Sequence, residues 1–195
     1  MTKNILLAGL PRVGKTTVVQ KVLARARARF GGFYSQAVDQ AASRRDFRLI
    51  TVEGRNRCLS RKRVIRRFEI ASLVGVDVAD LETRGIAAIR QALERCQVVV
   101  IDEIGLHQTL SGPLQQAVLE ALDSERPVLA TVPLHGTPFI EALKARADTL
   151  VFEVTTENRV LLPDRVAREL NELVRPRAAR QFLGAAEDED GSEEE

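Results

Sequence analysis

Residues 9–16 read Gly9-Leu10-Pro11-Arg12-Val13-Gly14-Lys15-Thr16, a complete G-x-x-x-x-G-K-[ST] run. With ordinary residue frequencies, a chance match in a chain of this size is on the order of one in a hundred. The flanks narrow the choice further. Lys3 to Ala8 is the short apolar run of a buried parallel strand, and Thr16 to Phe30 contains no Gly or Pro and predicts a helix. Strand, glycine loop and helix in that order are the parts of a phosphate-binding (Walker A) loop.

The residue types follow from the chemistry. Gly9 and Gly14 are expected to take backbone conformations closed to other residues, so that successive N–H groups turn inward at the positive end of a helix and cradle phosphates. Lys15 then reaches the β- and γ-phosphates of a nucleoside triphosphate (NTP), and the Thr16 hydroxyl ligates Mg²⁺. The predicted nucleotide-binding run is Gly9, Leu10, Pro11, Arg12, Val13, Gly14, Lys15, Thr16 and Thr17. Arg12 stands where many such loops carry another glycine, either pointing to solvent or adding charge near the phosphates.

A second signal lies in Cys96-Gln97-Val98-Val99-Val100-Ile101-Asp102-Glu103, an apolar, β-branched run ending in two acids. That is the form of a buried parallel strand delivering carboxylates to its C-terminal edge, where ligands bind in open α/β folds. Asp102 is the candidate Walker B residue holding the Mg²⁺ shell, and Glu103 the candidate acceptor for a water in line with the γ-phosphate. Thr131, at the end of the strand after Pro127, reads either as a polar sensor of the γ-phosphate or as a buried strand threonine.

Strand-like and helix-like segments alternate through the rest of the chain. Phe33 to Asp39 and Phe47 to Glu53 read as a hairpin joined by a polar turn at Ala42 to Arg45. Helices are expected over Asp80 to Arg95, Pro113 to Asp123, Thr137 to Ala147 and Pro163 to Val174, with strands over Pro127 to Val132 and Thr149 to Val154. This pattern predicts an α/β fold, a mainly parallel sheet between two helical layers with the hairpin as an antiparallel edge or flap. It is the three-layer, RecA-like arrangement of P-loop NTPases.

Composition agrees with one such domain, expected over residues 1–176. The chain has 195 residues and a formal net charge of +2. Its apolar runs fall short of the roughly 18 to 20 residues of a membrane span, and the opening segment feeds into the glycine loop rather than a cleavage site. Cys58 and Cys96 lie far apart without CxxC or Cys/His spacing, which points away from a disulfide framework or zinc site and toward the cytoplasm. His107 and His135 have no partner at metal spacing and read as loop residues.

Charge is segregated. Arg48, Arg55, Arg57, Arg61, Lys62 and Arg63 lie between Arg44 and Arg67 with few acids among them. The stretch reads as a solvated loop face, a positive flap over a triphosphate, or a nucleic-acid contact. The last is disfavoured because only Phe47 and Phe68 supply aromatics. Residues 177–195 end in Glu187 to Glu195, nearly all acidic, and are expected to form a disordered charged tail.

In order, the chain carries Gly9 to Thr17, Gly31-Gly32-Phe33-Tyr34, Gly75-Val76-Asp77-Val78, Asp102-Glu103-Ile104-Gly105, Arg126 to Pro133, Thr155-Thr156-Glu157-Asn158-Arg159 and Leu162-Pro163. In this it resembles the small nucleoside-triphosphatases of the THEP type. The resemblance spans nearly everything up to about residue 175. It implies a Mg²⁺-dependent hydrolase converting ATP, GTP and CTP to NDP and phosphate. It also implies that Asn158 and Arg159 sit near the base or ribose, Arg159 stacking on the purine face and Asn158 hydrogen-bonding it; the residues alone also read as a helix-capping Asn and a surface Arg. Two places depart from the family pattern. Leu106-His107-Gln108 stands where Lys-Met-Glu is frequent, and Leu73-Val74 where a basic residue and a tyrosine precede Gly75, with Arg61 or Arg66 as replacement cations. Two alternatives stay open: a nucleotide or small-molecule kinase, for which the basic stretch supplies an Arg-rich lid, and a slow NTP-dependent switch that binds a protein or RNA, which the departures at Leu73 and Gln108 favour. The oligomeric state is also open, a monomer being the simpler expectation.

Overall fold

The computed structural model describes residues 2–39, 45–55, 68–70, 78–105 and 111–175. In chain order the elements are β1 (Asn4–Gly9), α1 (Lys15–Arg25), β2 (Arg29–Asp39), β3 (Arg45–Arg55), β4 (Phe68–Ile70), α2 (Val78–Arg95), β5 (Val98–Asp102), α3 (Gly112–Asp123), β6 (Val128–Pro133), α4 (Pro138–Lys144), β7 (Thr149–Glu153) and α5 (Leu162–Val174). Among the described residues the strands form one sheet in the order β4-β3-β2-β5-β6-β1-β7. The pairs β2/β5, β5/β6, β6/β1 and β1/β7 are parallel. The β2–β3 hairpin and β4 extend the sheet antiparallel at one end.

Side-chain alternation along the central strands makes two cores. In β1, Ile5 and Leu7 face α1 and α5, packing with Val18, Val22, Val166 and Leu170. Leu6 and Ala8 face the opposite layer, with Ile89 of α2, Leu122 of α3 and Ile140 of α4. Strands buried on both faces need apolar residues at every position, which is why β1 and β5 read as continuous hydrophobic runs. Asn4 interrupts that rule at the end of β1 remote from the glycine loop. It is fully buried, and its Nδ2 donates to Leu122 O at 3.1 Å and Asp148 Oδ2 at 3.3 Å.

Several boundaries differ from the sequence reading. The first helix ends at Arg25 rather than Phe30, and Ala26 is already extended. Ala26, Ala28 and Phe30 are buried together while Arg27 is exposed, a two-residue period that the helix propensity of Ala and Arg masks. The hairpin strands are longer than expected, and β4 was not anticipated. α4 stops at Lys144 instead of continuing to Ala147, because Arg146 turns to bind Asp148 and Asp123. The turn at residues 42–44, the basic residues 57–67, the family departures at 73–74 and 106–108 and the tail 177–195 lie outside the described residues. Among the described residues no helix is long and apolar enough to cross a membrane.

Candidate active site

The glycine loop leaves the C-terminal end of β1 and turns directly into α1, whose first N–H groups have no intrahelical partner. The two glycines serve different needs. Gly14 sits at φ 109°, in the left-handed region, and serves as the N-cap of α1. Gly9 is needed for space rather than for an unusual conformation: a Cβ there would lie 3.0 Å from both Val154 O and Val13 Cγ1. Arg12 is the other left-handed residue of the loop, at φ 63°, and its side chain is exposed.

Lys15 is only 6 % exposed. Its ammonium donates to Gly9 O at 3.1 Å and Leu10 O at 3.2 Å, and lies 3.9 Å from Glu103 Oε1. The cation of Walker A and the acid that follows β5 therefore meet beside the loop, although Glu103 stays 35 % exposed.

Asp102 has no exposure at all. Its Oδ1 accepts a hydrogen bond from Thr131 Oγ1 at 2.5 Å, and its Oδ2 has no partner. Burial lifts its pKa from 3.8 to about 6; the Thr131 and Thr16 hydroxyls oppose that rise, the Glu103 charge adds to it and Lys15 subtracts from it. Thr131 belongs to β6, the strand inserted between β1 and β5. The same strand ties the two halves of the site together, since Thr131 O accepts from Ile104 N at 2.8 Å and Leu134 N donates to Gly9 O at 3.1 Å. A hard carboxylate oxygen without a partner, beside a threonine hydroxyl and a phosphate loop, is a donor set that suits Mg²⁺.

Past β7 the chain makes a tight turn over Thr155 to Leu161. Asn158 organises it: Oδ1 accepts from Thr155 N at 2.9 Å and Nδ2 donates to Glu153 O at 2.7 Å. The amide is thus engaged with the backbone of its own turn. The turn presents Arg159 to the glycine loop, where Nη1 donates to Val13 O at 3.3 Å and Cδ lies 3.7 Å from where a Cβ on Gly14 would be. Exposed apolar residues flank this rim, with Leu10 57 %, Val160 61 % and Leu161 74 % exposed.

The fold brings Lys15, Asp102, Glu103 and Arg159 to one edge of the sheet, together with Thr16 and Thr131. It engages Asn158 in supporting that edge. Sequence reasoning missed that Thr131 is bonded to Asp102 and that Arg159 touches the loop through Val13; both depend on strand order, which no local pattern reports.

A glycine loop capping a helix, a lysine folded into it and a buried acid two strands away define a P-loop NTPase domain. The sequence profile of the NTPase family matches residues 4–167, and the chain belongs to that family. Among its relatives, the nucleoside-triphosphatase THEP1 of Thermotoga maritima is 34% identical over 156 residues, covering 80% of this chain and 88% of the relative. That of Thermofilum pendens is 38% identical over 178 residues, 88% and 97% of the two chains. The crystal structure of THEP1 from Aquifex aeolicus superposes with a TM-score of 0.66 at 27% identity, over 86% of this chain and 98% of the other. The family and fold implied by the sequence motifs are those found.

Proposed function

We propose that this chain is a Mg²⁺-dependent nucleoside-triphosphatase that hydrolyses ATP, GTP and CTP to the diphosphate and phosphate, with residues 1–176 as the acting domain. The observation that carries the reading is the pairing of two unlike acids at the end of β5. Asp102 is buried with Oδ2 unpartnered, and Glu103 is half-exposed with its carboxylate 3.9 Å from Lys15. One acid suits a cation and the other suits a water.

In this reading the amides at the start of α1 and the Lys15 ammonium hold the β- and γ-phosphates. Lys15 exchanges its carbonyl partners for phosphate oxygens. Thr16 and Asp102 hold Mg²⁺, which when bound neutralises charge on the β- and γ-phosphates. Glu103 orients a water and accepts its proton as the water oxygen bonds to the γ-phosphorus, while the bond from that phosphorus to the bridging oxygen breaks and NDP leaves. Arg159, held at the rim by the Asn158 turn, packs against the base or ribose. The cytoplasm is the proposed compartment, in keeping with two cysteines that lie far apart in the sequence without CxxC spacing.

The test is phosphate release from ATP, GTP and CTP, with and without Mg²⁺, in the wild type and in Glu103→Gln. The expected result is metal-dependent release that falls at least a hundredfold in the variant, roughly the contribution of a positioned general base, while NTP binding persists. A wild type that binds NTP yet releases no phosphate would refute the hydrolase reading.

A further inference from the structure

We infer that Thr131 is a positioning residue for the metal: its hydroxyl fixes the Asp102 carboxylate so that Oδ2 is the oxygen offered to Mg²⁺. The inference rests on the hydrolase reading and names a residue that reading does not use.

A carboxylate with two free oxygens turns about its last bond and presents either. Here Thr131 Oγ1 donates to Oδ1 at 2.5 Å and Oδ2 is left without a partner, so the two oxygens are distinguished before any ligand arrives. Thr131 and Asp102 are both fully buried, so water does not compete for this bond. A hydroxyl has one proton, and this one is directed at the carboxylate. It is therefore not offered to a γ-phosphate oxygen, and the sensor role left open for Thr131 gives way to a supporting one. Its main chain acts on the same strand end, because Thr131 O accepts from Ile104 N at 2.8 Å. Glu103 is thus bracketed between two residues that Thr131 holds. The arrangement has the form of an outer partner that orients a metal ligand, whose loss typically weakens metal binding 10–100-fold.

The experiment titrates Mg²⁺ into the protein with a non-hydrolysable NTP analogue, and separately with NDP, in wild type, Thr131→Val and Thr131→Ser. The readout is the Mg²⁺ concentration giving half of the metal-dependent gain in nucleotide affinity. The valine variant, similar in shape but lacking the hydroxyl, is expected to raise that midpoint about tenfold or more with both nucleotides. Serine is expected to restore it to within about threefold, and affinity in chelator is expected to be the same in all three proteins. If the valine protein does not fold by thermal melting, Thr131→Cys takes its place, the thiol being a weak donor. An unchanged midpoint in the variant lacking the donor overturns the inference. So does a loss confined to the NTP analogue, which would mark a γ-phosphate sensor. A wild type whose nucleotide affinity ignores Mg²⁺ overturns the metal reading itself, a different result from either.

Discussion

Asp102 is a carboxylate with no exposure to water, and its titration reflects the opposition between burial and charge. Its value is 3.8 in the unfolded chain and about 6 in the folded one. Between roughly pH 4 and 6 the folded chain therefore holds a proton that the unfolded chain has lost. The stability this contributes is fully present below about pH 4 and is lost as pH rises through about 6. In chelator, Asp102→Asn is expected to melt above the wild type at pH 7, with the gap closing toward pH 4; a gap independent of pH would count against the burial argument. Asp102 and Glu103 were legible as residues because a parallel strand must end in polar groups at the ligand edge. Their different environments were not, since they depend on Thr131 from a strand far along the chain and on Lys15 folding back over its own loop. Arg12 was legible as an oddity for a physical reason now visible. A non-glycine residue in the left-handed region costs about 1–2 kcal/mol, and φ 63° puts it there.

At the scale of elements, the β2–β5 seam positions the acids, because Tyr34 of β2 pairs with Asp102 of β5. Gly32 governs how closely those strands approach. It sits at φ 109°, and a Cβ there would lie 2.1 Å from Val100 O, a backbone atom that cannot move aside alone. Gly32→Ala is expected to destabilise the protein by about 3 kcal/mol or more, combining overpacking with backbone strain. Chemical denaturation would read it, and a loss below 1 kcal/mol would show that the seam can open without penalty. The elements themselves were largely readable where both propensity and period agreed, as in β5 and α3. They misled where the two conflicted: the Ala-Arg alternation before Phe30 has helical composition and strand period, and the sheet decides the outcome by burying every second residue.

For the molecule as a whole, the site joins the ends of β1, β5 and β6 and the turn after β7, so a ligand there bridges elements that separate on unfolding. Nucleotide with Mg²⁺ at about 100 times Kd is expected to add about 2.7 kcal/mol, which raises Tm by roughly 5–10 °C for a domain of this size. Glu103→Gln is expected to keep that rise, and chelator to remove most of it. A rise indifferent to chelator in a melting experiment would argue that Thr16 and Asp102 hold no metal. The strand order carries one more consequence, in the time domain. Among the described residues β1 pairs with β6 and β7, so its apolar Asn4–Gly9 segment is synthesised long before residues 128–133. At about 5–20 residues per second that interval is roughly 6–25 s. Throughout it the glycine loop has α1 beside it but neither of the strands that flank β1.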